Sequence, residues 1–239
     1  MTDDLGTLTT FSPDLPGRPL VGMTVLVVED SRFASEAMRL LCLRSGARIR
    51  RADCLRSARR HLQVYRPTAV IVDLGLPDGA GDGLIAELAQ ATPRVGVILA
   101  TSGDDGAQAR ARAAGADGFL AKPIASLAAF QQAILAPRPE AAGGRALRAL
   151  PDEEIHPDTF AFRDDMIHAA DLLTEGADAQ TLDYLAQFLA GVARSARDAP
   201  LEQAAAGLAD RRAQGMAAEA ALARVSGLVQ ARISTAAPI

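Results

Sequence analysis

Ala69-Val70-Ile71-Val72-Asp73-Leu74-Gly75-Leu76-Pro77-Asp78-Gly79 is the stretch whose reading decides the fold. A short apolar run bounded downstream by glycine and proline predicts a buried parallel strand, and Asp73 falls where that strand gives way to a loop. Open parallel sheets bind ligands beyond the carboxyl ends of their strands. An acid at this place is a candidate nucleophile or metal ligand, the alternative being a solvated loop carboxylate. Which of these holds depends on what the other strand ends deliver.

Upstream, Thr24-Val25-Leu26-Val27-Val28 predicts a strand that ends in Glu29-Asp30. Ser31 then opens a helical pattern with Ala34, Met38, Leu41 and Cys42 on one face. Taken alone, the two acids fit either a helix N-terminus, where the dipole favours carboxylates, or a ligand pair. A weaker strand at 47–52 precedes a basic helix at 55–64, where Arg56, Arg59, Arg60 and His61 read as a solvated face. Downstream of Asp73 come a glycine-rich loop at 78–83 and a helix at 84–91. A strand at 95–100 ends in Thr101-Ser102-Gly103, and a helix at 107–114 stops at Gly115. The last strand, 118–121, runs into Lys122-Pro123. Strands alternating with helices predict βαβ units, so the expected fold class is α/β, a doubly wound five-stranded parallel sheet, followed by a small all-α helical bundle.

Composition excludes several classes. The 239 residues are 49% hydrophobic and 23% charged, with a net charge of -4, which gives no general attraction to nucleic acid or an anionic membrane. Met1-Thr2-Asp3-Asp4 lacks the basic and apolar regions of a signal peptide, and no apolar run is long enough to span a bilayer, so a cytoplasmic location is expected. Cys42 and Cys54 stand far apart without nearby Cys or His spacing and read as reduced thiols.

The strand ends thus gather Glu29, Asp30, Asp73, a Thr101-Ser102 hydroxyl pair and Lys122. Lys122 is the only lysine in a chain that otherwise uses arginine for every basic position, and an ammonium acts as a compact point charge where a planar fork would not fit. The chemistry that suits this set is transfer of a phosphoryl group onto Asp73. Glu29, Asp30, Asp73 and the Gly75 carbonyl offer an oxygen site for Mg2+, while Lys122 and a hydroxyl meet the remaining phosphoryl oxygens.

These residues carry a resemblance. Val27-Val28-Glu29-Asp30-Ser31-Arg32, Val72-Asp73-Leu74-Gly75-Leu76-Pro77, Thr101-Ser102-Gly103 and Ala116-Asp117-Gly118-Phe119-Leu120-Ala121-Lys122-Pro123 together resemble the receiver domain of two-component response regulators, with its flavodoxin-like fold. The resemblance covers about 22–136, closed by a helix at 126–135. It implies Asp73 as phosphoacceptor, Glu29 and Asp30 as the acidic metal pair, Lys122 as the phosphate-contacting lysine, Phe119 as the aromatic switch, and a cis bond before Pro123. It also implies a histidine kinase or histidine phosphotransfer protein as partner. Two departures stand out. Both Thr101-Ser102 and Ser102-Gly103 fit the family's hydroxyl-small pattern, with Ser102 favoured, and the loop at 78–83 is longer and richer in glycine than usual.

Around that core the expected organisation is a mobile arm at 1–21, a receiver at 22–136, a linker at 137–155 and a helical output or dimerisation domain at 156–239. The tail reads as four helices, near 158–174, 179–197, 200–213 and 216–233. Leu182, Leu185, Phe188, Leu189 and Val192 recur at helical spacing, as do Leu222, Val225, Leu228, Val229 and Ile233, which makes each stripe a core or a partner-helix seam and a homodimer possible. From His156 onward seven arginines face eleven acids, net -4, so no DNA partner is expected. His168 is a candidate phosphorylatable histidine but lacks the lysine and glycine that usually follow one. The functional reading is a Mg-dependent phosphorelay receiver, not a turnover enzyme. The alternatives are a receiver-like scaffold that is not phosphorylated, a receiver fused to a phosphotransfer-like bundle, and an aspartyl-phosphate phosphatase, whose usual second acid is here Gly75.

Overall fold

The computed structural model describes residues 17–104, 106–137, 153–174 and 178–235. The alternating pattern folds into β1 (Thr24–Val28), α1 (Arg32–Ser45), β2 (Arg48–Ala52), α2 (Leu55–Val64), β3 (Ala69–Asp73), β4 (Gly75–Leu76), β5 (Gly79–Ala80), α3 (Gly81–Gln90), β6 (Val97–Ser102), α4 (Ala107–Ala113), β7 (Gly118–Ala121) and α5 (Leu127–Leu135). Five strands form a parallel sheet in the order β2-β1-β3-β6-β7, as expected, and β4 with β5 makes a small antiparallel ribbon beside it. Alternate residues of each central strand feed opposite cores. Val25, Val27, Ala69, Ile71, Val97 and Leu99 pack with α1 and α5, whereas Leu26, Val28, Val70, Val72, Ile98 and Ala100 pack with α2, α3 and α4. Burial on both faces is why these strands read as continuous apolar runs.

Register then fixes the site. Val28 pairs with Val72, Asp73 with Thr101, and Ser102 with Ala121, so Glu29, Asp73, Ser102 and Lys122 leave the sheet at one level. The strand order reverses between β1 and β3, and the acids sit at that switch point.

Several boundaries differ from the sequence reading. β6 runs to Ser102, so the two hydroxyl residues end a strand instead of opening a loop. Helix α3 starts at Gly81, not residue 84, because the glycine-rich loop is consumed by the β4-β5 ribbon and by a close approach: a Cβ at Gly81 would lie 2.1 Å from the Asp73 carbonyl. Asp78 in that loop accepts from the amides of Leu55 and Arg56 at 2.8 and 2.9 Å and so caps α2. Of the expected arm and linker, 1–16 and 138–152 lie outside the described residues. Leu20 is fully buried and its N–H donates to the Ser45 carbonyl, so the arm's inner end belongs to the core. Ile155 is likewise buried, with Leu127 N–H donating to the Glu153 carbonyl, so the linker's end is pinned beside α5. The expected cis bond precedes Pro123, and a second, not foreseen, precedes Pro93.

Four helices follow: α6 (Thr159–Thr174), α7 (Ala179–Ser195), α8 (Ala199–Ala213) and α9 (Glu219–Thr235). Leu185, Phe188, Leu189 and Val192 close on Met166, Leu201, Ala205, Leu208, Val225 and Val229. Most of both sequence stripes thus packs within the chain's own bundle, with Leu222, Leu228 and Ile233 partly buried against its core.

The bundle packs on the receiver through α1. Burial of Asp165 is offset by three hydrogen bonds: its carboxylate accepts from Ser31 Oγ at 2.7 Å and from the amides of Arg32 and Phe33 at 2.8 and 3.1 Å. Those amides belong to the first turn of α1, where no intrahelical partner exists and the dipole favours negative charge. Phe33 meets Phe162 edge to face at 5.8 Å, and Arg32 pairs with Asp164 at the rim. Asp165→Ala strands Ser31 Oγ and both amides, and hydrogen bonds to charged groups contribute about 1.5–3 kcal/mol each. The expected loss, discounted for the cost of burying the charge, is about 2–3 kcal/mol in urea unfolding, with faster exchange of the Arg32 and Phe33 amides.

Candidate functional site

Lys122 stands at the centre of the strand ends. Its Nζ lies 2.7 Å from Asp73 Oδ2 and 2.7 Å from Glu29 Oε2, and all three side chains are almost wholly buried. Asp30 completes the set: a carboxylate oxygen each from Glu29, Asp30 and Asp73 falls within 4.8 Å of the others. Asp73 Oδ1 accepts from the Gly75 amide at 3.3 Å, Asp30 Oδ1 from the Ser31 amide at 3.0 Å, and Glu29 Oε1 from the same amide at 3.3 Å. The acids are thus aimed by backbone groups of the turns they begin.

Charge is out of balance here, with three carboxylates against one ammonium. Burial raises Glu29 well above the ordinary carboxylate range; Lys122 opposes this, and the neighbouring Asp73 and Asp30 reinforce it. Burial and then the Asp73 charge push Asp30 up to about 7, against Lys122 and a hydrogen bond from Tyr184. Burial disfavours the Lys122 ammonium, but the flanking Asp73 and Glu29 outweigh it and hold its pKa above the usual lysine value. A proton on an acid, or a cation among the three, relieves the excess. An all-oxygen donor set with surplus negative charge fits a hard divalent ion such as Mg2+, with Glu29, Asp30 and Asp73 as the holding side chains.

The two hydroxyls are distinguished by where they point. Ser102 lines the same cavity as Asp73 and Lys122, and its Oγ accepts from the Asp104 amide at 3.1 Å. Thr101 is fully buried, and its hydroxyl has no hydrogen-bond partner among the described residues. Phe119, on β7, is half-buried against the α2–α4 face of the sheet. His168 is exposed on α6, edge-on to Phe188, and lines a cavity that Glu29 and Asp30 also line. Arg56, Arg59 and Arg60 are exposed, as read, whereas His61 is half-buried and edge to face with Tyr65. Cys42 is fully buried, which raises its thiol to about 12.

The sequence reading missed the contribution of the helical part. Tyr184 Oη donates to Asp30 Oδ2 at 2.7 Å, and burial followed by that carboxylate's charge raises the phenol's pKa. Gln187 lies against Gly75, and Arg194 lies against Gly103. All three project from α7, so a cavity of about 570 Å³ is lined on one side by Asp73, Ser102 and Lys122 and on the other by α7. Tyr184, Gln187, Gly191 and Arg194 are spaced 3, 4 and 3 apart, a polar stripe beside the apolar one. That stripe was the available signal. Nothing in one sequence says what a polar stripe faces.

Comparison with known proteins agrees with the geometry. Residues 25–134 match the response regulator receiver domain. The KDP operon transcriptional regulatory protein KdpE of Escherichia coli (strain K12) is 32% identical over 100 residues, covering 42% of this chain and 44% of that protein. The virulence transcriptional regulatory protein PhoP of Salmonella typhimurium is 32% identical over 117 residues, covering 47% of this chain and 52% of its own length. The chain thus spans about half the length of the curated relatives it matches. Among solved structures, a response regulator described as putative from Chloroflexus aurantiacus J-10-fl is 30% identical, with a TM-score of 0.43, covering 48% of this chain and 98% of that one. The receiver domain of the sensor histidine kinase PA1611 from Pseudomonas aeruginosa PAO1, solved with a magnesium ion in its active site cleft, is 24% identical, with a TM-score of 0.44, covering 48% and 97%. Residues 25–134 of this chain therefore belong to the response regulator receiver domain family, and the family match ends before the four helices α6 to α9 begin.

Proposed function

We propose that the chain is a phosphorelay response regulator in which Asp73 accepts a phosphoryl group from a histidine kinase or histidine phosphotransfer protein and the helical part carries the signal onward. One observation carries the reading: a buried aspartate at the switch point of a parallel sheet is held by the chain's only lysine and backed by two further acids. Asp73 supplies the nucleophilic oxygen. Glu29, Asp30 and Asp73, with the Gly75 carbonyl, would hold Mg2+, which would offset charge on the incoming phosphoryl group. Lys122 and Ser102 meet the phosphoryl oxygens, and Ser102 is preferred to Thr101 because it lines the cavity. The added charge of roughly -1.5 to -2 then biases the β6-β7 surface, with Phe119 following.

Further parts of the proposal rest on the chain's composition. The C-terminal helices carry net -4 from His156 onward, which supports an output other than reading DNA, although the relatives KdpE and PhoP are transcriptional regulators by name. No helix of the described residues is long and apolar enough to cross a membrane. The domain limits proposed are a receiver over 22–136 and a helical domain over 156–239. A scaffold that is never phosphorylated has no use for an intact set of acids, hydroxyl and lysine.

Incubation with acetyl phosphate or phosphoramidate and Mg2+ is expected to add the mass of one phosphoryl group to the intact protein. The Asp73→Asn variant gains nothing, and omission of Mg2+ suppresses the adduct. An adduct that survives in Asp73→Asn refutes the assignment.

Stability of the metal-free protein supplies a second test. Because Asp30 rises from an ordinary 3.8 to about 7, the folded state favours the protonated carboxyl. Stability linked to this group is complete below its unfolded value and declines as pH rises through about 7. Glu29 acts with the same sign. Urea unfolding in chelator is expected to give lower stability at about pH 8 than at about pH 5, and Asp30→Asn to flatten that slope. Added Mg2+ restores stability mainly at the higher pH.

A further inference from the structure

We propose that Gln187 of α7 is a catalytic residue for loss of the phosphoryl group from Asp73, so that the helical part carries a phosphatase function acting in cis. The inference rests on Asp73 being the phosphoacceptor.

It starts from a gap. The residue two after Asp73 is Gly75, so the receiver places no side chain of its own beside the acceptor at that position. The space is filled from elsewhere: a Cβ built on Gly75 would lie 2.5 Å from Gln187 Nε2 and 2.9 Å from its Cδ. The carboxamide therefore occupies the volume that a side chain at 75 would take. The cavity it enters, about 570 Å³, is shared by Asp73, Ser102, Lys122, Gln187 and Arg194. It has room for a tetrahedral phosphoryl group together with water. Gln187 is itself exposed, so the amide faces a wet cleft.

Helix α7 is fixed in that position at both ends. One turn before Gln187, Tyr184 is bound to Asp30. Two turns beyond it, Arg194 is steered by Glu202 at 2.7 Å and crosses Gly103 so closely that a Cβ there would lie 2.7 Å from its Nη1. Gly75 and Gly103 carry no side chain where Gln187 and Arg194 pass, which lets these two polar side chains of the bundle approach the acceptor.

An amide suits the reaction better than an acid here. A carboxamide offers an acceptor oxygen and two donor hydrogens without net charge. It can hold a water through Oε1 while Nε2 donates to a phosphoryl oxygen, whereas a fourth carboxylate would repel the dianion. In the step proposed, the water oxygen forms a bond to phosphorus as the bond from phosphorus to the Asp73 oxygen breaks. The bonding pair returns to the Asp73 carboxylate, and both water protons leave with the phosphate as dihydrogen phosphate. No separate base is required. The contribution is positioning, which converts a solvent encounter into a reaction within a bound array.

A helix that merely covered the site would act with the opposite sign, by keeping water out and prolonging the adduct. The test is therefore the lifetime of the adduct in the full chain. Wild type, Gln187→Ala and Gln187→Leu are phosphorylated with acetyl phosphate and Mg2+, the donor is removed, and intact mass is followed over time. Roughly tenfold or longer lifetimes are expected in both variants, with formation of the adduct retained. Leucine keeps the bulk and loses the hydrogen bonds, so a lifetime equal to wild type in Gln187→Leu, or a shorter one in Gln187→Ala, overturns the proposal. Absence of any adduct on wild type overturns the phosphoacceptor reading itself, and this inference with it.

Discussion

Everything at the functional end of this molecule depends on one buried ammonium shared by two carboxylates. Lys122 reaches Asp73 and Glu29 at 2.7 Å each, and no other lysine exists in the chain. Burying Glu29 and Asp73 beside a half-buried Asp30 is costly, and one cation does not compensate for it, which is why Asp30 and Glu29 are held toward their protonated forms. Such an arrangement persists only where the scaffold leaves no room to relax. The sheet meets that demand, because its central strands are buried on both faces and in register, so the ends of β1, β3, β6 and β7 cannot shift separately. Rigidity here serves a site that is electrostatically incomplete by itself.

The receiver part was legible because its signals are local and repeated. Apolar runs of strand length, a serine at the start of α1 and acids at the ends of β1 and β3 follow from rules that act over a few residues. Asp73, Glu29, Asp30 and Lys122 were brought together by counting strands. Where sequence reading fell short, the cause was distance along the chain or a contact invisible in composition. Leu20 reads as part of an irregular arm because the Pro and Gly residues around it interrupt any period, yet it fills the core beside Ser45. The glycines at 79, 81 and 83 read as a long loop, whereas Gly81 is set by the Asp73 carbonyl approaching it. Tyr184 and Asp30 stand 154 positions apart, and pairing them requires the docking of two separately folded cores. The helices themselves are visible as apolar stripes, whereas the polar side of α7 carries no signal of what it faces.

That docking ties the bundle to the chemistry through five consecutive residues. Glu29 and Asp30 turn toward the acid cluster, while Ser31, Arg32 and Phe33 turn toward α6, where Asp165 takes a bond from each of them. Ser31 also caps α1, its hydroxyl accepting from Ala34 at 3.0 Å, and its amide reaches both acids. Asp30 is therefore next in the chain to the residues that hold the interface. Asp30 itself divides its oxygens between the two parts, Oδ1 toward Ser31 and Oδ2 toward Tyr184. A carboxylate has about four acceptor positions, so a cation can join Tyr184 without displacing it, but the cation withdraws electron density from the oxygen that receives the phenol. Any effect of an ion at the acids on the docking of α7 would be matched by an equal effect of that docking on the ion's binding, as linkage requires. The same bond that would hold α7 close enough for Gln187 to reach Gly75 is also the one most exposed to what occupies the acid site.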